Sequence, residues 1–172
     1  MTALTMEQRR RDFEAMLRRA DLARATMPPC RTELAETGGP LALIARDVSE
    51  LCAAWAESAY RARTHKPSGQ AQARARIVAA RCLQALSERD PDGYLEGFRD
   101  RALYSLFDRD LGVAPNVRIG WLVSCLGDLA SCAIEGYNPD GVIVIHRLRV
   151  LAIEAICAAL AAERGLWQEE EA

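Results

Sequence analysis

The stretch from Val142 to Glu163 carries the strongest hydrophobic pattern in the chain. From Val150 to Ala162 nearly every face of the predicted helix is apolar, so we expect its neighbours to enclose it. The exception is Glu154, the best candidate in the sequence for a buried carboxylate. The apolar residues that recur every three or four positions, and so predict a helix with one face toward a core, are Val142, Ile145, Leu148, Ala152, Ala155, Ile156 and Ala159.

Similar periodicity predicts five more helices, and no segment shows the alternation of a β-strand. The sequence therefore predicts an all-α fold, a bundle of about six helices with a four-helix core and a buried C-terminal helix. We expect one domain over residues 1–172, made of an N-terminal helix at 6–25, a bundle core at 41–164 and a tail at 165–172. The five further helices are Met6–Ala25, Leu41 to about Arg63, Gln70–Ser87, a segment from Asp90-Pro91 to Phe107, and Val117–Gly136 capped by Asn116.

Two short similarities suggest an internal repeat. Such a repeat would make the core two helical hairpins packed about a pseudo-twofold axis, although chance matches between Ala-rich helices are the alternative. It places Arg81 at the height of Glu154, and a buried carboxylate needs a partner, so we predict an ion pair between them. The matching segments are Val48-Ser49-x-Leu51 with Val123-Ser124-x-Leu126, and Arg74-x-Arg76 with Arg147-x-Arg149.

Composition narrows the functional classes. A chain of 172 residues, half of them apolar, suits one core, and a net charge of -2 argues against a globally basic nucleic-acid binder. The six cysteines form no C-x-x-C pair, which indicates free, mostly buried thiols in a reducing compartment. We found no signal peptide and no stretch of membrane-spanning length, since Glu154 interrupts the most apolar helix. The sequence thus predicts a cytoplasmic protein without membrane contact.

The most basic neighbourhood lies on the second and third predicted helices and the loop between them. Such a cluster can hold a phosphate-bearing ligand or an acidic partner. No aromatic residue interleaves with the cations, which argues against a stacking platform for single-stranded nucleic acid. The cluster consists of Arg61, Arg63, His65, Lys66, Arg74 and Arg76.

The segment from Trp121 to Leu160 resembles the all-α nucleoside triphosphate pyrophosphohydrolases of the MazG-like group. The resemblance rests on Leu126-Gly127-Asp128-Leu129-Ala130 and on the small-residue helix that follows; Arg46 to Leu51 is a second partial match. It implies magnesium-dependent cleavage of the α,β bond of nucleoside triphosphates, with metal held by acids of facing helices. Ser124 and Cys125 stand where the family has its two leading acids, which puts hydrolysis in doubt. The magnesium ligands implied for this chain are Asp128, Glu154, Asp47 and Glu50.

Two functions from different classes follow. The first is a divergent MazG-like protein that binds a nucleotide or other phosphate ligand at the Arg61 to Arg76 cluster, with hydrolysis weakened or lost and magnesium required only if catalysis survives. The second is a non-catalytic helical module that binds a protein partner or forms a homodimer, with Trp55, Trp121 or Trp167 as an exposed anchor. For each acid, a solvated helix face or a structural ion pair is the alternative to a metal ligand. The two predictions differ in whether the four acids named above converge on one site.

Overall fold

The computed structural model describes residues 5–30, 39–62, 69–99 and 115–163, and within these ranges the chain is all-helical without a strand. The all-α prediction is therefore confirmed for the described residues. The helices are α1 (Met6–Ala25), α2 (Pro40–Ala62), α3 (Gln70–Ser87), α4 (Pro115–Ile134) and α5 (Val142–Glu163), with a short 3₁₀ helix at Glu96–Arg99 before α4.

Local signals in the sequence explain why several helices begin where predicted. At the start of α1, the Gln8 backbone N–H donates to Thr5 Oγ1 at 3.3 Å and the Gln8 side-chain oxygen accepts from the Thr5 N–H at 3.0 Å. This capping box satisfies two of the N–H groups that a helix leaves free at its first turn. Pro40 opens α2, where its missing N–H costs nothing, after Gly39 has taken a positive φ of 104°.

Helix α5 is the centre of the molecule. It packs along α3, with α1 lying against both of them, while α2 packs on α3 and α4, and α4 packs on α5. All twelve residues from 151 to 162 are buried, which confirms the prediction of an enclosed helix. The predicted inward position Val142 is wrong, because it is 84% exposed and the first turn of α5 buries Val144 instead.

The predicted fourth helix is wrong where the structure describes it; its residues from 100 onward lie outside the described ranges. Asp90 does make the predicted cap, because its carboxylate accepts the Gly93 N–H at 3.0 Å and its carbonyl accepts the Tyr94 N–H at 3.0 Å. Residues 91–95 nevertheless form turns, and the N–H groups of Glu96 and Phe98 bond carbonyls three residues back instead of four, which is the pattern of a 3₁₀ helix. The following 3₁₀ helix lies close to α5 at Gly97, where an added Cβ would collide with the Arg149 guanidinium. Tyr94 and Phe98 are nevertheless buried, so the apolar pattern marked real core residues but the wrong backbone.

Helix α4 also differs from its predicted bounds. It begins at Pro115, so Asn116 lies inside the helix rather than capping it. At its other end Gly136 takes a φ of 74°, and the Tyr137 N–H donates to the Cys132 carbonyl at 3.0 Å. This left-handed glycine ends the helix and turns the chain toward α5.

All six cysteines lie among the described residues, and none of them is in a disulfide, as predicted. Four are buried, and burial raises the pKa of the Cys82 thiol well above its usual range, with the neighbouring Asp47 charge adding to the effect. A protonated thiol of this kind packs as a small apolar side chain.

Candidate functional site

The first predicted acid, Asp47, lies inside the α2–α3 contact. Its Oδ2 accepts from Arg81 Nε at 3.0 Å, and both side chains are buried. Arg81 also donates to the side-chain oxygen of Gln84 at 3.1 Å. Burial by itself would lower the pKa of Arg81, but the hydrogen bond and the charge of Asp47 outweigh it and raise that pKa. Asp47 is therefore the hydrogen-bonding partner of a buried arginine.

Glu50, one turn further along α2, bonds Arg74 of α3 at the half-exposed edge of the same helix pair. The Arg74 cation belongs to the predicted ligand-binding cluster, so the two predictions meet in one ion pair. The carboxylate predicted to bind magnesium and the guanidinium predicted to bind phosphate therefore bond each other.

Glu154 is buried, as predicted, with 7% of its surface exposed. Its partner is Arg118 of α4, whose guanidinium lies 3.4 Å from Glu154 Oε2 and whose exposure is 1%. The predicted partner, Arg81, is wrong, because it bonds Asp47 instead. Sequence reasoning missed Arg118, although a signal existed: it stands four residues before the inward Leu122 and is therefore a charge on an apolar stripe.

Asp128 lies on the exposed surface where α4 crosses α5, and its carboxylate accepts from Arg147 at 2.9 Å. Between this pair and the buried one is Cys125. Partial burial, together with the charges of Glu154 and Asp128, raises the pKa of this thiol to about 11. The thiol thus stays protonated near neutral pH.

The four predicted magnesium ligands therefore lie in four separate ion pairs. Each pair joins a helix to its neighbour, two between α2 and α3 and two between α4 and α5. Among the residues that the structure describes, no three His, Cys, Asp or Glu side chains form a group suited to a metal ion. Chemically, each of the four carboxylates links adjacent helices, with at least one of its oxygens in contact with a guanidinium.

The structure describes only part of the predicted phosphate-binding cluster. Arg63, His65 and Lys66 lie outside the described residues, and the Arg61 side chain is likewise not described. Arg76, on α3, lies 4.0 Å from the Glu163 carboxylate at the end of α5. Together with the Arg74–Glu50 pair, this means that both described arginines of the cluster have carboxylate neighbours.

A second polar cluster, which the sequence did not predict, fastens the turn before the 3₁₀ helix to α1. The Tyr94 hydroxyl donates to Asp21 at 2.6 Å, and Arg24 bonds the same oxygen while lying 5.3 Å from the centre of the Tyr94 ring. Partial burial and the Asp21 carboxylate raise the pKa of Tyr94. The cluster carries no free nucleophile and fixes the position of a loop.

The outer face of α4 is the most unusual surface among the described residues. Its exposed apolar side chains continue past the turn into the first residues of α5, and each of them is at least 36% exposed. Ile134 is 86% exposed and Trp121 is 36% exposed. We call this surface the α4 outer face; its large apolar residues are Val117, Trp121, Val123, Ile134, Tyr137, Val142 and Ile143.

Within the described residues, α4 is the one helix that is long and apolar enough to cross a membrane, judged by length and composition alone. Its 18-residue window from Val117 to Ile134 is only 28% buried in the fold. The expectation that no stretch reaches this length considered only α5 and is therefore wrong. Of the three predicted anchors, Trp121 lies on this face, Trp55 is half-buried against the core, and Trp167 is outside the described residues.

Comparisons with known proteins yield no relative for this chain. No family model matches it, and no curated protein or solved structure matches it at a significant level. The resemblance to the MazG-like group thus stays a prediction.

Proposed function

We propose that this protein is a non-catalytic helical module that acts by binding another polypeptide through the α4 outer face. The observation that carries the proposal is the concentration of large exposed apolar side chains along α4, the turn after it and the first residues of α5, with Ile134 and Val142 more than four-fifths exposed. Several exposed large apolar residues grouped in one part of a surface are characteristic of interaction sites, whereas single exposed apolar residues are ordinary.

The ion pairs of the four predicted magnesium ligands also support the proposal. A magnesium site of the predicted kind needs several carboxylate oxygens aimed at one point, with substrate phosphates completing the shell. Here the acids instead strengthen the contacts between helices, so they help to hold a rigid frame under the exposed face. We propose for this frame the two-hairpin, four-helix core within a six-helix bundle, which is consistent with the packing of α2 on α3, α4 on α5 and α3 on α5.

Site-specific photocrosslinking tests the interaction. A photoreactive benzoylphenylalanine in place of Val123, on the α4 outer face, should form covalent adducts with a polypeptide when the full chain is irradiated inside the cells that produce it. The matched control is the same replacement at Leu22, an exposed apolar residue of α1 at 70% exposure. Adducts several-fold more abundant at Val123 are expected, and equal yields at the two positions would refute the proposal.

The nucleotide-hydrolysis prediction needs its own assay on the same purified protein. Incubation with magnesium and each common nucleoside triphosphate, followed by measurement of released pyrophosphate, detects the chemistry that the MazG-like resemblance implies. The proposed module should release no more pyrophosphate than buffer does. Release that depends on magnesium and is lost in Asp128→Asn would replace the interaction module with a pyrophosphohydrolase.

A further inference from the structure

The α4 outer face contains a seam with the spacing of a helix-pairing surface. Six residues repeat at alternating intervals of three and four, and all six are exposed. They lie on the side of α4 opposite the buried Leu122 and Leu129, so the helix has one stripe for the core and a second stripe for something else. A repeat of 3.5 residues keeps one face of a helix against a partner helix. The seam consists of Val117, Gly120, Ser124, Gly127, Ser131 and Ile134.

The seam is shaped for close approach of a second helix. Its four central residues are glycine or serine, and a Cβ added to Gly120 or Gly127 would meet no heavy atom of the described residues within 4 Å. Glycine in the middle of a helix lowers helix stability, yet no contact within the described ranges requires it at these two positions. Small residues on a helix face let another backbone come near, and the larger Trp121 and Val123 border this groove.

The order of residues along the seam indicates the partner. Read from either end, it runs from a β-branched residue through four small residues to a β-branched residue. In an antiparallel pair of identical helices, Val117 meets the partner's Ile134, Gly120 meets the partner's Ser131, and Ser124 meets the partner's Gly127. A twofold dimer requires this kind of self-complementary surface.

We propose that the α4 outer face binds a second copy of this chain, with the two α4 helices antiparallel about a twofold axis that passes near Cys125 and Leu126. This inference rests on the proposed interaction function and names its partner. An interface of this kind would cover apolar surface that a single chain leaves in water.

Charge is compatible with such a dimer. None of the six seam residues is charged, and Asp128 beside the seam is neutralised at 2.9 Å by Arg147 of its own chain. The six seam residues therefore bring no charge of their own into the contact, where an unmatched charge would oppose association. In the antiparallel register, Trp121 of one chain comes alongside the Asp128–Arg147 pair of the other, where a guanidinium can lie on the indole ring.

The length of the helix contact sets the affinity that we expect for the dimer. A helix rises about 1.5 Å per residue, so the 18 residues from Val117 to Ile134 form a contact about 27 Å long. One helix pair of this length falls near the lower limit of specific interfaces, roughly 1,200 Å² in total. We therefore expect a reversible dimer with a Kd on the order of micromolar.

Sedimentation equilibrium of the full chain from about 1 to 200 μM tests the dimer. The average mass should rise from one chain toward two across this range. Gly127→Leu should weaken association at least tenfold because a large side chain fills the groove, while the monomer gains a better helix former. Ala133→Leu, at another exposed position on α4 outside the seam, is the matched control and should leave association unchanged.

A double variant tests whether the two α4 helices are antiparallel. Val117→Lys combined with Ile134→Glu places opposite charges together in an antiparallel dimer and like charges together in a parallel one. Association that persists in this double variant, at low salt, supports the antiparallel register. Loss of association in the double variant would overturn that register.

The remaining outcomes separate this inference from the proposed function. A mass of one chain at every concentration, or a dimer that Gly127→Leu leaves intact, would overturn the self-pairing. A monomer whose benzoylphenylalanine at Val123 still crosslinks to a different protein would refute self-pairing and keep the interaction module. Flotation of the chain with phosphatidylcholine and phosphatidylglycerol vesicles, without dimers in solution, would assign the face to a membrane and overturn both.

Discussion

Helices α4 and α5 form one hairpin and have similarly apolar sequences, yet their environments are opposite. Twelve consecutive residues of α5 are buried, while only 28% of the Val117–Ile134 window of α4 is. In α5 the polar exception, Glu154, lies inside the protein, whereas in α4 an apolar residue, Ile134, is almost fully in water. Apolar composition therefore does not decide which helix of a bundle becomes its core.

Position among the other helices decides it. Helix α5 packs against α1, α3 and α4 and also touches the 3₁₀ helix, whereas among the described elements α4 packs on α5 and, less extensively, on α2. A helix with neighbours on several sides must be apolar all round, and a helix with neighbours on one side needs only a stripe. Packing among the described helices therefore does not explain the exposed apolar residues of α4, and we look for their cause in a partner.

The largest effect should come from the buried pair that joins these two helices. Glu154→Leu leaves Arg118 buried beside an apolar side chain, and breaking a buried pair in this way costs about 3–5 kcal/mol. We expect the free energy of unfolding, measured by urea denaturation, to fall by about that amount. The double variant Glu154→Leu with Arg118→Met removes both charges and should recover most of the loss.

The exposed pair between the same helices is the matched control. Asp128→Asn removes the partner of Arg147 at the surface, where an ion pair contributes only about 0–1 kcal/mol. A loss at Asp128 equal to that at Glu154 would contradict the contrast between a buried and an exposed side of this hairpin.

The next largest difference in stability should come from adding side-chain volume to each of the two helices. Ala159 on α5 is fully buried, so Ala159→Leu forces side chains apart and should lower the free energy of unfolding by roughly 1–3 kcal/mol. Ala133→Leu, at an exposed position of α4, should change it by less than about 0.5 kcal/mol. Thermal and urea denaturation of both variants give the comparison; equal losses would mean that α4 is as enclosed as α5.

Local signals made much of the fold predictable. The bounds of α1, α3 and α5 agree with the prediction at both ends, because caps, breakers and apolar periodicity are written within a few residues of each boundary. The predicted fourth helix has its expected cap at Asp90, yet the N–H groups of Glu96 and Phe98 bond three residues back instead of four. Arg149 of α5 occupies the space beside Gly97 in this segment. That contact with a distant side chain has no local signal in the sequence.

The candidate site was less predictable, because periodicity identifies a buried charge but not its partner. Glu154 was identified correctly, while Arg118 was passed over for Arg81. The structure adds a regularity here: the aligned positions Arg81 and Glu154 both hold buried charges that pair with the preceding helix, with the signs reversed. The aligned Arg74 and Arg147 likewise pair with acids of their preceding helices. The proposed repeat gains support from these pairings and stays a hypothesis.

Alkaline pH should distinguish thiols by their burial. The raised pKa of Cys125, about 11 against an ordinary 9.0, means that the unfolded chain loses this proton first. The unfolded state then binds fewer protons than the folded state, so stability falls as pH rises from about 9 to about 11. Because Cys125 is only partly buried, its share should stay below the roughly 1.4 kcal/mol per pH unit of a fully buried group.

Urea denaturation at a series of pH values measures this slope. Cys125→Ala should flatten it slightly, and Cys82→Ala should flatten it more, because Cys82 is buried completely and the pKa of its thiol is raised further. An identical slope in the wild type and in both variants would show that these thiols titrate alike in the folded and unfolded chains.

The smallest effect tests the open side of α4 within a single chain. Gly127→Ala adds a methyl group at a mid-helix position where no atom of the described part of the chain lies within 4 Å of the new atom. Alanine restricts the unfolded chain and favours the helix, so the free energy of unfolding should rise by about 0.5–1 kcal/mol. The measurement is made at low micromolar concentration, where a weak dimer has largely dissociated. A loss of stability there would mean that another part of the same chain already packs closely on the seam, and the difference between α4 and α5 would then lie in their partners rather than in their exposure.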